Sequence, residues 1–124
     1  MRQTVLLADD NATNLQVLYR TLRDLGQRVP IARDGDTALS IASETAPDLV
    51  LLDVMLPDME GREVAARLRE DPLVKTTPVV FLTAIVTREE TTPAGTEIGG
   101  HTFLAKPVEA AGLIACIDGE LGGR

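Results

Sequence analysis

Acidic, hydroxyl and basic side chains follow four short apolar runs of the sequence, at the points where those runs end. They are Asp9 and Asp10 after the first run, Asp53 after the third, Thr83 after the fourth and Lys106 after the fifth. If the runs are parallel strands, their carboxyl ends meet at one edge of a sheet, where open α/β sheets bind ligands. The sequence therefore predicts one site with three carboxylates, a hydroxyl and an ammonium group.

The three carboxylates indicate a metal site. Carboxylates that are held close together repel one another and take up protons unless a cation offsets their charge. Oxygen ligands combined with retained waters suit Mg²⁺. Lys106 and Thr83 add a positive charge and a hydrogen-bond donor, which favours a phosphoryl group bridged to the metal. Asp53 is then the candidate nucleophile, because carboxylates form acyl phosphates in enzymes.

The hydrophobic pattern predicts the strands that carry this site. Short apolar runs alternate with amphipathic stretches, which is typical of a doubly wound α/β fold whose parallel sheet is covered by helices on both faces. Pro30 in the second run favours a sheet edge. The predicted strands span residues 4–8, 28–32, 48–53, 79–83 and 102–105.

The helical stretches between the strands end at glycine or proline signals. We expect a short or mobile fourth helix in residues 88–100, because threonine, proline and glycine weaken or interrupt a helix there. The second helix is predicted at residues 37–44, and the third stops before Asp71 and Pro72. The predicted buried residues are Leu15, Leu18, Leu22 and Leu25 in the first helix, which closes at Gly26; Val64, Ala65 and Leu68 in the third; and Leu113, Ile114, Ile117 and Leu121 in the last, which begins at Val108.

The composition excludes several functional classes. A chain of 124 residues supports one core, so we assign residues 1–124 to a single domain. The net charge of -7 disfavours direct binding to nucleic acid or to an anionic membrane surface. With 2% aromatic residues and no tryptophan, the chain lacks material for a base-stacking platform. A single cysteine, and no secretory signal or membrane-spanning run, predict a cytoplasmic location.

Four sequence motifs resemble those of the receiver domains of bacterial response regulators. They are VLLADDN at 5–11, LLDVMLPDMEG at 51–61, FLTA at 81–84 and FLAKP at 103–107. One such motif is a weak signal, but four in order, each at a strand end, make a chance match improbable. The resemblance covers essentially the whole chain and implies a flavodoxin-like (βα)5 sandwich with a five-stranded parallel sheet of order 2-1-3-4-5.

The resemblance also implies a role for each site residue. Asp10 binds Mg²⁺ directly, Asp9 binds it directly or through water, and Met55 contributes its backbone carbonyl. Asp53 binds the metal and accepts a phosphoryl group from a histidine kinase or a phosphotransfer protein of a phosphorelay. Thr83 and Lys106 contact the phosphoryl oxygens, and the bond between Lys106 and Pro107 is cis, which costs little before proline.

The same resemblance implies a conformational switch. Thr83 moves toward the phosphoryl group and Phe103 turns inward, which alters the surface of helix four, strand five and helix five for partner binding. Phe103 lacks the tyrosine hydroxyl common at this position, and residues 88–100 are unusually rich in Thr, Gly and Pro, so the downstream target does not carry over. Phosphorylation-dependent dimerisation is a further hypothesis. Such a domain is not a turnover enzyme, because it catalyses only its own phosphorylation and dephosphorylation.

Each motif has an ordinary structural interpretation when it is taken alone. The run Asp9-Asp10-Asn11 is typical of a turn that caps a helix, with Asn11 or Thr13 as the cap. Lys106 alone is typical of a solvated surface lysine. His101, in a glycine-flanked loop, is predicted to be an exposed bystander, and Cys116 a buried packing residue.

Three other functions use related features. A phosphatase of the dehalogenase type needs a second aspartate two residues after its nucleophile, where this chain has Met55. A flavodoxin-like cofactor carrier needs a phosphate loop after the first strand, where this chain has acids that repel phosphate. A receiver that serves only for docking would lack some acceptor or metal residues, whereas here every such position is filled. Metal-dependent phosphorylation of Asp53 discriminates among these alternatives.

Overall fold

The computed structural model describes residues 3–83, 96–98, 101–106 and 108–121, and its backbone forms one mixed sheet. The strands are β1 (Val5–Ala8), β2 (Ile31–Ala32), β3 (Leu49–Asp53), β4 (Val79–Thr83), β5 (Thr96–Ile98) and β6 (His101–Ala105). The helices are α1 (Ala12–Asp24), α2 (Gly35–Thr45), α3 (Gly61–Glu70) and α4 (Ala110–Leu121). The strand order is β2-β1-β3-β4-β6-β5. The first five of these are parallel and confirm the predicted order 2-1-3-4-5, with β6 as the predicted fifth strand.

Strand β5 is an addition that the sequence analysis did not predict. It pairs antiparallel with β6, with Thr96 opposite Phe103 and Ile98 opposite His101. A helix is therefore wrong for residues 96–98, where two β-branched residues favour a strand. The rest of the predicted fourth helix lies outside the described residues. His101 begins β6 rather than lying in a loop, and its side chain is likewise outside the described part of the chain.

The core lies on both faces of the sheet because successive strand residues point to opposite sides. Val5 and Leu7 of β1 pack with α1 and α4, whereas Leu6 and Ala8 pack with α2 and α3. All described residues of β1, β3 and β4 are buried. Continuous burial of this kind is expected for parallel strands covered on both faces.

Helix α1 begins immediately after the first acidic motif. Asn11 is its N-cap, and its side chain accepts a hydrogen bond from Asn14 N at 3.0 Å, as one of the two predicted caps. The prediction that Leu25 is buried is wrong, since 42% of it is exposed. Leu25 is the C-cap, beyond the last helical turn, and Gly26 follows with a φ of +86° that favours glycine.

Helix α4 faces the core slightly differently from the prediction. Leu113, Ile117 and Leu121 are buried as predicted, but Ile114 is 37% exposed, so that prediction is wrong. The helical period instead turns Cys116 inward, which confirms its predicted burial.

The second strand is shorter than predicted but lies at the predicted edge. Arg28 makes only an isolated bridge to Thr4, and β2 itself has two residues. Pro30 donates no hydrogen bond, but its carbonyl accepts one from Leu7 N at 3.0 Å. None of the helices in the described part of the chain has the length and apolar character needed to cross a membrane.

Candidate functional site

The register of the parallel strands brings the predicted site residues together. Ala8 is opposite Leu52, so Asp9 and Asp53 both follow at the same edge of the sheet. Thr83 is opposite Ala105, and Lys106 N extends the ladder by donating to Thr83 O at 2.8 Å. The predicted convergence of strand ends is therefore the observed arrangement.

Lys106 reaches across the sheet edge to two of the carboxylates. Its Nζ atom donates to Asp53 Oδ2 at 2.8 Å and lies 3.1 Å from Asp9 Oδ2. The lysine side chain is only 17% exposed, and the Asp9 side chain is fully buried. Burial alone would lower the pKa of Lys106, but the hydrogen bond to Asp53, the close contact with Asp9 and the negative charges of both carboxylates outweigh burial and raise the pKa. The protonated, positively charged form of Lys106 is therefore favoured.

Asp9 is the carboxylate with the least favourable surroundings. Its Oδ1 atom accepts a hydrogen bond from Asn11 N at 3.0 Å. Its Oδ2 atom is near Lys106, but the geometry is not that of a hydrogen bond, and this buried oxygen has no hydrogen-bond partner among the described residues. Burial raises the pKa of Asp9, and the neighbouring Asp53 charge raises it further. A cation at this oxygen would offset the cost of its burial.

The three predicted acids form a group of the right chemistry for a divalent cation. One carboxylate oxygen each from Asp9, Asp10 and Asp53 lies within 4.8 Å of the other two. Asp10 is exposed, whereas the other two are buried, so the group opens to solvent on one side. Hard oxygen ligands with access for water fit Mg²⁺. The residues present therefore fit the metal that the motifs imply.

Asp53 is held through both of its oxygens. Oδ2 accepts from Lys106, and Oδ1 accepts from Met55 N at 3.0 Å. Met55 as a residue is 63% exposed. Its contact with Asp53 is made by its backbone amide rather than by its side chain. Met55 thus joins β3 to the loop that follows.

The loop of residues 54–61 is closed by its own backbone. Gly61 N donates to Val54 O at 2.7 Å, and Leu56 N donates to Met59 O at 3.2 Å. A Cβ atom at Gly61 would lie 2.5 Å from Asp53 O, so the close approach of α3 to Asp53 requires glycine. The glycine of the second motif, at residues 51–61, therefore has a packing role.

Two contacts at this site were not predicted from the sequence. Asp58 accepts hydrogen bonds from Gly35 N at 2.7 Å and from Asp36 N at 3.0 Å, and the Gly35 bond is the main cause of its lowered pKa. Arg33 Nη2 donates to Asp10 O at 3.1 Å. Acids in turns are common, and nothing in their spacing indicates that segments more than 20 residues apart meet here.

Thr83 and Phe103 occupy neighbouring strands. Thr83 is buried at the end of β4. Phe103 is half-buried and stacks on Phe81, directly opposite in the sheet, with ring centroids 5.3 Å apart and an interplanar angle of 26°. Ala84 and Pro107, and with Pro107 the predicted cis bond, lie outside the described residues.

Comparison with known proteins identifies relatives over nearly the whole chain. The family described as "Response regulator receiver domain" matches residues 5–118. Response regulator PleD of Caulobacter vibrioides is 38% identical over 93% of this chain, and DNA-binding response regulator MtrA of Mycobacterium tuberculosis is 38% identical over 98% of it. The chain spans 25% of PleD and 51% of MtrA.

A solved structure shows the same fold. The receiver domain of sensor histidine kinase PA1611 from Pseudomonas aeruginosa, with a magnesium ion coordinated in its active site cleft, is 30% identical. The two structures agree with a TM-score of 0.83 over 98% of this chain and 99% of that one.

Proposed function

This chain belongs to the family of response regulator receiver domains, and we propose that its Asp53 accepts a phosphoryl group in a two-component phosphorelay. The donor is a phosphohistidine of a histidine kinase or of a phosphotransfer protein. The observation that carries the proposal is the meeting of Asp53, Asp9 and Lys106, with Lys106 Nζ 2.8 Å from Asp53 Oδ2. A nucleophilic carboxylate, a second acid for a metal and a fixed cation are the parts that phosphoryl transfer requires.

Mg²⁺ is the proposed cofactor. Asp9, Asp10 and Asp53 would hold it, together with the Met55 carbonyl, and the magnesium in the PA1611 receiver supports this choice. When bound, the ion supplies positive charge that stabilises the phosphoryl oxygens during transfer. Asp9 Oδ2 is buried and has no hydrogen-bond partner among the described residues, and this is the observation that most favours a bound cation.

The protein's own residues then carry out the transfer. A carboxylate oxygen of Asp53 forms the new P–O bond while the P–N bond to the donor histidine breaks, and the histidine nitrogen keeps the electron pair. Lys106 exchanges its contact with Asp53 Oδ2 for the phosphoryl oxygens, and the Thr83 hydroxyl donates a hydrogen bond to another phosphoryl oxygen. Water later cleaves the acyl phosphate, so the domain is a switch rather than a turnover enzyme.

The response to phosphorylation is proposed to pass through Phe103. Movement of Thr83 toward the phosphoryl group opens space beside β4, and Phe103 on the adjacent strand β6 turns into it. Phe103 is half-buried and stacks on Phe81, which places its ring at the margin of the core beside β4. The altered surface would bind a downstream protein or a second copy of the chain, in the cytoplasm.

Intact-mass measurement after incubation with acetyl phosphate tests this function. We expect a gain of one phosphoryl group in the presence of Mg²⁺ and none with excess chelator. Asp53→Asn should remain unmodified, whereas Asp48→Asn, at the position just before the opposite end of β3, should be modified like the wild type. Measurable Mg²⁺ binding without any mass gain would instead support the docking-only alternative.

A further inference from the structure

The N-terminus of α2 is capped by carboxylates from two separate segments. Asp34 is the N-cap and accepts from Thr37 N at 2.7 Å. Asp58, from the loop of residues 54–61, accepts from Gly35 N at 2.7 Å and from Asp36 N at 3.0 Å. The amides of the first three residues of a helix have no hydrogen-bond partner within the helix. In α2, Asp58 accepts from two of these amides and Asp34 from the third. The positive end of the helix dipole adds to this attraction.

Packing joins the same two segments. A Cβ atom at Gly35 would overlap Met59 Cγ and would lie 2.7 Å from Met59 Sδ. The loop therefore lies directly on the first turn of α2. Helix α2 in turn buries Ala38 and Ala42 against the sheet, so the helix provides a firm support for the loop.

Backbone pairing within the loop connects Asp58 to Met55. Met55 and Glu60 form an antiparallel bridge, and Leu56 N bonds to Met59 O, so the two arms on either side of Asp58 are tied to each other. A tilt of the tip at Asp58 would therefore displace Met55, whose carbonyl is the proposed metal ligand. Met55 N also holds Asp53 Oδ1 at 3.0 Å.

We propose that Asp58 is a positioning residue for the metal site: its bonds to the amides of Gly35 and Asp36 fix the loop so that the Met55 carbonyl faces the bound cation. The inference rests on the proposed function for the identity of the cation. Asp58 itself would contact neither the metal nor the phosphoryl group. By holding the loop in place before the cation binds, Asp58 would lower the entropy cost of ordering the Met55 carbonyl on binding.

The test compares Asp58→Ala with Asp34→Ala in the full chain. Both variants remove one negative charge and one cap from the N-terminus of α2, but only Asp58 connects the helix to the loop. Hydrogen exchange of the Leu56 and Gly61 amides is measured in chelator, and Mg²⁺ affinity is measured by titration calorimetry. Asp58→Asn, which retains an oxygen acceptor, serves as the conservative variant.

We expect Asp58→Ala to speed exchange at both amides and to weaken Mg²⁺ binding about tenfold, a typical effect of outer-shell changes. Asp58→Asn should recover part of the affinity, and Asp34→Ala should leave affinity and loop exchange near wild-type values. Equal Mg²⁺ affinity in Asp58→Ala and Asp34→Ala would overturn the inference, even if both lose stability. Absence of Mg²⁺ binding to the wild type would instead overturn the proposed function, and with it the metal part of this inference.

Discussion

Lys106 illustrates how burial determines the behaviour of a single charged residue. Exposed ion pairs contribute little because water screens them, but Lys106 is mostly buried and faces two acids. Two carboxylates share one ammonium group, so the site retains an excess negative charge. That excess favours a divalent cation. In the proposed function the same residue would stabilise the acids before phosphorylation and the phosphoryl group after it.

Cys116 is a second residue whose pKa is determined mainly by burial. Desolvation, with a smaller effect from Glu120, raises the pKa of the Cys116 thiol to about 11 from a usual 9.0. Because the folded state favours the neutral thiol, its contribution to stability is complete below pH 9 and is lost as pH rises toward 11. We predict that the stability difference between the wild type and Cys116→Ala falls over this range, as measured by urea unfolding at several pH values.

The control for this prediction is thiol reactivity with a disulfide reagent at pH 8. Folded wild type should react at least about a hundredfold more slowly than urea-unfolded protein, because a buried thiol is both inaccessible and protonated. A stability difference that stays constant from pH 8 to 11 would contradict the raised pKa.

At the scale of elements, the strands were more predictable than the contacts between loops. Strand β4 has its predicted bounds, because a buried parallel strand is a continuous apolar run that ends at a polar residue. The convergence of Asp9, Asp53 and Lys106 follows from those ends. The contact of Asp58 with α2 depends instead on how two distant loops pack, which no local period encodes.

Helix faces were predicted correctly except at their margins. Leu25 and Ile114 are apolar residues at the end or on the side of a stripe, and their exposure depends on where the helix ends and how it rotates against the sheet. Strand β5 was missed for a related reason. A strand of three residues is too short to show an alternating hydrophobic pattern. The neighbouring threonine and glycine residues indicated only a weak helix.

Helix α3 allows a matched prediction about two arginines. Arg69 Nη1 donates to the carbonyls of Lys75 and Thr77, both at 2.9 Å, and so ties the helix to the loop before β4. Among the described residues, Arg67 makes only an exposed ion pair with Glu63, at 3.6 Å. We expect Arg69→Ala to lower the free energy of unfolding by about 1–2 kcal/mol and Arg67→Ala by less than about 0.5 kcal/mol, as measured by urea unfolding. Equal losses would show that the carbonyl contacts contribute nothing beyond helix surface charge.

At the scale of the whole molecule, excess negative charge opposes the compact state. The net charge of -7 includes the three acids gathered at one edge of the sheet. Any salt screens general repulsion among surface charges, but only a cation that enters the acidic group relieves the repulsion inside it. The two effects can therefore be separated by comparing monovalent salt with Mg²⁺.

We predict that Mg²⁺ at about 100 times its Kd stabilises the folded chain by about 2.7 kcal/mol, because it binds the folded state and not the unfolded one. For a chain of this size that corresponds to a Tm increase of roughly 10 °C, measured by scanning calorimetry. NaCl at equal ionic strength should give a much smaller shift, and Asp53→Asn should lose most of the Mg²⁺-specific part while keeping the response to NaCl. If Mg²⁺ and NaCl raised Tm equally at matched ionic strength, the acidic group would be responding to screening alone, and the assignment of Asp9, Asp10 and Asp53 as metal ligands would fail.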